Sequence, residues 1–221
     1  MEAPELADGD RHHLERALRL RAGDPLVVAD GAGSWRPARF GAELEPTDQA
    51  GTEPRPTPAL TIGLTPTKGD RPEWAVQKLT ELAVDRIVIL RTDRSVVRWD
   101  GDKADHHLDR LRRIAREAAM QSRRLWLPEV LGVQTLADHP GAVLADPGGR
   151  PPSTEDRVVL CGPEGGWSDE ERAANPDPVG LGPGVLRAET AAVTAGALLV
   201  ALRQGLVRPA RPRTVVDPGT Q

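Results

Sequence analysis

Residues 157–171 read RVVLCGPEGGWSDEE. Val158, Val159 and Leu160 form a short apolar run of the kind that makes a buried strand. It breaks at once into Gly162, Pro163, Glu164, Gly165, Gly166 and Trp167, and Ser168 with Asp169, Glu170 and Glu171 then reads as the start of a helix. Glycines at a strand's end let the backbone take positive φ and let another molecule come close. In a parallel α/β sheet, ligands sit beyond the carboxyl ends of the strands. The stretch therefore predicts an α/β fold with a ligand site at this turn.

The surrounding rhythm agrees. Residues 59–66 (ALTIGLTP), 86–90 (RIVIL), 141–146 (GAVLAD), 157–162 and 178–182 (PVGLG) are strand candidates. Residues 71–84, with Pro72 near the start, 104–124 and 188–205, closed by Gly205, are helix candidates. Alternating strands and helices predict a mostly parallel sheet covered by helices on both faces. Before them, DPLVVADGAGSWRPARF (24–40) alternates short apolar runs with turns, as small antiparallel β structures do. The Pro/Thr/Glu-rich stretch 45–59 reads as an exposed linker. The expected division is a small β domain at 1–55, an α/β domain at 59–207 and a flexible tail at 208–221.

Composition narrows the function. The 221 residues suffice for one large or two small domains, and 38% hydrophobic with 28% charged content fits a globular chain. Aromatics are 3%, with no tyrosine, so stacking of bases on aromatic platforms is not expected to dominate nucleic-acid binding. Cys161 is the one cysteine, which excludes an intrachain disulfide and predicts a small buried residue. The acidic start MEAPELADGD is unlike a secretory leader, and the run 195–202 is too short to cross a bilayer, so a cytoplasmic protein without membrane attachment is expected. The net charge is −4, yet residues 110–126 carry six arginines against the single acid Glu117. On the 104–124 helix, Leu108, Leu111, Ala115, Ala118 and Ser122 share one face, and Arg112, Arg113, Arg116 and Arg123 the other. That pattern suits an ordinary solvated face or contact with an RNA backbone.

A second glycine-rich stretch, LGPGVLRAETAA, spans 181–192. Neither turn has dinucleotide-fingerprint spacing, and the chain has no phosphate-loop motif. Two such turns, each after a short strand, are either tight βα turns or a clasp whose main-chain groups hold a flat small molecule. The pairs His12–His13 and His106–His107 do not make a metal site, because adjacent histidines diverge on a helix and nothing completes a ligand set. Ser168 lacks the elbow motif of a serine hydrolase.

The two stretches GPEGGWSDEE (162–171) and LGPGVLRAETAA (181–192) together resemble the signature of the bacterial 16S ribosomal RNA uridine-N3 methyltransferases, the RsmE family. KGDRPEWAVQKLTELAVDRI (68–87), RTDRSVV (91–97), REAAMQSRR (116–124) and HHLERALRLRAGD (12–24) resemble further blocks of it, in the same order. Members usually carry an additional N-terminal strand before the position of His12, and glycine where this chain has Ala83. The resemblance implies a SPOUT (α/β-knot) methyltransferase domain with a C-terminal trefoil knot, and a PUA-like N-terminal β-barrel that helps hold RNA. It also implies S-adenosyl-L-methionine as cofactor, 16S rRNA of the small ribosomal subunit as partner, and a homodimer.

By this resemblance Leu160, Gly162, Pro163, Gly165, Gly166, Leu181, Gly182, Leu186 and Arg187 would cradle the cofactor. Uracil N3 carries a proton and is a poor nucleophile until it leaves, so a base or an anion stabiliser is required. Glu164 or Glu189 is the expected carboxylate, and Arg187, Arg123 or Arg94 would offset charge on the uracil oxygens. Each carboxylate also has a plainer reading, as a cap for the Ser168 helix or an acid at a helix start. His12, His13, Arg19, Arg94, Gln121, Arg123 and Arg124 are the expected RNA contacts. The alternatives are methylation of another RNA atom, such as a ribose 2′-oxygen or a tRNA base, and a non-catalytic RNA-binding module of the ribosome.

Overall fold

The computed structural model describes residues 5–16 and 18–208. The chain forms two compact units, one of Met1–Pro56 with Ala119–Leu127, the other of Thr57–Ala118 with the chain from Pro128 onward. Apart from Arg208, the predicted tail lies outside the described residues, as does the side chain of His13.

In the first unit, helix α1 (Asp8–Arg16) precedes strands β1 (Pro25–Ala29), β2 (Ser34–Arg39), β3 (Glu45–Pro46) and β4 (Gly51–Thr52). All pairings are antiparallel, with β1, β3 and β4 each on β2. The stretch 45–59 is therefore not wholly a linker: two short pieces of it extend the sheet. Trp126 belongs to this unit and lies against Gly33, where an added Cβ would come within 2.5 Å of its ring. Its indole N–H donates to the Glu53 carbonyl at 3.0 Å, and Arg55 lies over the ring.

The second unit is built on a parallel sheet of order β7-β6-β5-β9-β8. Its strands are β5 (Thr61–Leu64), β6 (Arg86–Leu90), β7 (Glu129–Gln134), β8 (Val143–Arg150) and β9 (Val158–Cys161). The helices are α2 (Arg71–Glu81), α3 (Asp102–Gln121), the short α4 (Asp169–Ala174) and α5 (Ala188–Arg203), with a single 3₁₀ turn at Leu136–Asp138. The parallel sheet and the long helices match the sequence reading. Leu108, Leu111, Ala115 and Ala118 are buried and Arg112, Arg113 and Arg116 exposed, as the helical spacing requires.

Three expectations change. The strand β7, EVLGVQ, has Gly132 in its middle and no apolar run long enough to announce it. The expected strand at 178–182 shrinks to Val179, which bridges Ala145 and Arg150. Pro178 has no N–H to donate, and the pairing consists of Arg150 N–H donating to the Pro178 carbonyl and Gly180 N–H donating to the Arg150 carbonyl. The long helices also cover one face of the sheet rather than two. Side chains of α2, α3 and α5 pack on Ile62, Leu64, Ile87, Ile89 and Val159. The other face, Val88, Leu90, Leu144 and Leu160, is closed by Trp167 and Leu136.

Close contact between α5 and α2 depends on Gly196, where a Cβ would stand 2.6 Å from Leu79. At its far end α5 is clamped by Arg203, whose guanidinium bonds the Asp85 carboxylate and the carbonyls of Pro58 and Ala83. Asp85 also accepts from the Leu60 amide, and both members of the pair are buried.

Candidate active site

The glycine turn after β9 is a compact hydrogen-bonded turn. Gly166 N–H donates to the Pro163 carbonyl at 2.9 Å, and Gly166 takes φ +69. This throws Glu164 and Gly165 to the exposed corner. Pro163 is buried, and Leu160, wholly buried in the second core, aims the loop. Gly162 lies against Trp167, since a Cβ there would come within 2.9 Å of the indole. The indole N–H donates to the Ala145 carbonyl at the neighbouring strand.

Ser168 then starts α4 with a reciprocal cap: its Oγ accepts from Glu171 N–H, and Glu171 Oε2 accepts from Ser168 N–H. Glu171 Oε1 takes the Asp93 amide, and Ser168 Oγ donates to Asp93 at 2.6 Å. The loop 91–95 is thereby pinned to the glycine turn. Arg94 adds a hydrogen bond to the Gly165 carbonyl at 3.1 Å, so part of its guanidinium serves the loop itself.

The second turn runs from Leu181, half-buried, through exposed Gly182, Pro183, Gly184, Val185, Leu186 and Arg187 into α5. Side chains added at Gly182 or Gly184 would meet nothing within 4 Å, so the turn borders open space. Arg187 takes the N-cap position of α5 and is exposed. Glu189, two residues on, is buried, with Oε2 among the buried side-chain atoms that have no hydrogen-bond partner. Thr65 Oγ1, just past β5, is another.

Arg71, the first residue of α2, ties the turns together, with Nη1 3.4 Å from Glu164 Oε1 and Nε 3.7 Å from Glu189 Oε1. The two carboxylates differ in setting: the Glu164 side chain is 56% exposed, that of Glu189 11%. Sequence reasoning missed Arg71, whose position at a helix start gives no local sign of a partner 93 or 118 residues away. Cys161 is fully buried, and burial pushes its thiol up to about 12, which makes it a core residue and not a nucleophile.

This donor set suits a cationic, adenosine-bearing ligand such as S-adenosylmethionine. Glycine main chain admits close approach, open space adjoins Gly182 and Gly184, and a buried carboxylate oxygen awaits a partner. The expected RNA contacts are distributed differently. His12 lies exposed on α1. Gln121 ends α3, Arg123 is exposed just beyond it, and Arg124 is half-buried. Arg19 is exposed as well. Among the described residues, no group of three or more His, Cys, Asp or Glu could hold a metal, and no helix is long and apolar enough to cross a membrane.

Comparison with known proteins agrees with this geometry. The family model for the RNA methyltransferase domain matches residues 53–200. Ribosomal RNA small subunit methyltransferase E of Synechocystis is 34% identical, over 89% of this chain and 72% of its own. The Mycobacterium bovis protein of the same name is 33% identical, over 86% and 83%. Among solved structures, ribosomal RNA small subunit methyltransferase E of Neisseria gonorrhoeae, bound to S-adenosyl methionine, superposes with a TM-score of 0.75 at 28% identity, covering 89% of this chain and 90% of that one. The glycine turns, the parallel sheet behind them and these relatives lead to one conclusion: the chain belongs to the ribosomal RNA small subunit methyltransferase E family.

Proposed function

We propose that the chain transfers a methyl group from S-adenosylmethionine to N3 of a uridine in 16S ribosomal RNA. The observation that carries this reading is Glu189, a buried carboxylate with one unpartnered oxygen, steadied by Arg71 at the junction of the two glycine turns. Bound S-adenosylmethionine would supply an electrophilic methyl group, held by the main chain of Gly162, Pro163, Gly165 and Gly166 and by Leu181, Gly182, Leu186 and Arg187.

Methyl transfer is chiefly a matter of positioning, and the chain's own residues hold the uracil in place. Glu189 Oε2 accepts the N3 proton as the nitrogen gains its methyl group. Arg187, exposed at the start of α5, offsets negative charge on the uracil oxygens, and Glu164 lies exposed in the first turn.

The finer architecture follows the same reading. The segment from Val179 into α5 forms a trefoil knot, and the antiparallel strands of the first unit form a PUA-like barrel. Two copies assemble as a homodimer in the cytoplasm. Arg19 and Arg123 support RNA contact by the first unit, with His12, His13, Gln121 and Arg124 near them in sequence. Both arginines take φ +56, where glycine would be unstrained, so each side chain is kept at a cost of about 1 kcal/mol.

Nucleoside mass spectrometry of 16S RNA from a strain lacking the gene tests the proposal. 3-Methyluridine is expected to vanish and to return with the wild-type gene but not with Glu189→Gln. Its persistence, or loss of a ribose or tRNA methylation instead, would refute the assignment.

A further inference from the structure

A cavity of about 390 Å³ opens beside the glycine turn, outside the residues assigned to the cofactor. Its walls include Arg91, Thr92, Asp93, Arg98, Thr135 and Glu171. That volume is in the range that accommodates one small organic ligand.

The walls are held from behind. Arg91 N–H extends the sheet by donating to the Gln134 carbonyl, and Thr92 and Ser95 bond through their hydroxyls at 2.8 Å. Trp99 is buried and stacks on His107 with centroids 4.3 Å apart, which anchors the residue next to Arg98. Thr135 and Asp138 cap the 3₁₀ turn on the opposite side, at 2.8 and 2.9 Å.

The charges are sorted by direction. Both oxygens of Glu171 are taken by the amides of Asp93 and Ser168, and Asp93 receives the Ser168 hydroxyl. Glu171 is thus committed to the protein through both oxygens and Asp93 through one. The guanidiniums are not to the same degree: Arg91 has one exposed partner, Asp100, at 3.6 Å, and Arg98 is exposed with no ion pair among the described contacts. A cavity of this size with two exposed arginines on its wall, and with Glu171 already bonded through both oxygens, complements an anionic group. Arg94, next to Asp93 in the same loop, turns its guanidinium to the Gly165 carbonyl.

We propose that this cavity seats a nucleotide neighbouring the methylated uridine, with its phosphate against Arg91 and Arg98. The proposal rests on the RNA methyltransferase reading and adds a subsite to it.

The test measures binding of full-length protein to a 16S RNA transcript across a salt series, for wild type, Arg98→Ala, Arg91→Ala/Arg98→Ala and Arg98→Lys. Losing the phosphate contact in the double variant should weaken binding about tenfold and lower the salt slope by about one, with part of each effect in Arg98→Ala and lysine restoring much of the slope. The KM for RNA should rise with little change in kcat, and calorimetry should give the same cofactor affinity as wild type, which also certifies the fold. A double variant with wild-type affinity and salt slope would overturn the subsite. Wild-type protein that binds RNA but neither binds the cofactor nor makes 3-methyluridine would overturn the activity instead, and the salt slopes would still decide the cavity.

Discussion

Nε of Arg71 lies 3.7 Å from Oε1 of Glu189, which makes the first residue of α2 the neighbour of the second residue of α5. The same guanidinium reaches Glu164. Because Glu189 is buried and Glu164 exposed, the two substitutions should separate. Glu189→Gln is expected to lower kcat about 100-fold or more, within the range for loss of a general base, and Glu164→Gln much less. Arg71→Gln should lower kcat roughly tenfold with the KM values for cofactor and RNA nearly unchanged, the mark of a positioning residue. Steady-state kinetics on small subunits lacking the methylation would check all three.

Ala83 ends α2 in a left-handed conformation, φ +70. Its N–H bonds the Thr80 carbonyl and that of Val84 the Leu79 carbonyl, the paired bonds of a glycine-type helix end. Glycine takes this conformation without strain. Ala83→Gly should stabilise the protein by about 1 kcal/mol, seen as a higher denaturant midpoint at unchanged slope.

The Arg203–Asp85 pair fixes the end of α5 to the start of β6. Truncation of either side leaves a buried charge without its partner. Arg203→Ala should cost about 3–5 kcal/mol in chemical denaturation. A loss under 1 kcal/mol would mean that the clamp matters little.

Asp156 is buried in the loop between β8 and β9, where burial disfavours its charge. Two hydrogen bonds from Arg150 and one from the Ser153 amide outweigh that and hold the carboxyl below its usual 3.8. A lowered folded value gives stability that is present above pH 3.8 and drains away as the pH falls through the folded value. Asp156→Asn should therefore be less stable than wild type at neutral pH and lose less on acidification, measured as unfolding free energy between pH 7 and pH 3.

The sheet and both glycine turns were legible because each is written in consecutive residues. RIVIL and RVVLC are continuous apolar strands, and Ser168 with its acids announces α4. What escaped depends on residues distant in sequence. Gly132 breaks the apolar pattern of β7, which forms because β6 offers it an edge. Val179 is held by Ala145 and Arg150, far earlier in the chain. Trp126 follows α3 in sequence and packs on Gly33, far earlier in the chain, and periodicity cannot signal that. Glu164 and Glu189 stand out in sequence by their place in the turns, but that one is exposed and the other buried, with Arg71 near both, needed the fold itself.

Trp167 has a dual membership with a practical outcome. Its ring plugs one side of the sheet, sits on Gly162 and is hydrogen-bonded to Ala145. The turn cannot wander without unplugging the hydrophobic layer beneath it, so it is stiff before any guest arrives. In a chain without tyrosine, ultraviolet emission comes from its five indoles, and the difference between wild type and Trp167→Phe isolates the one seated on that turn.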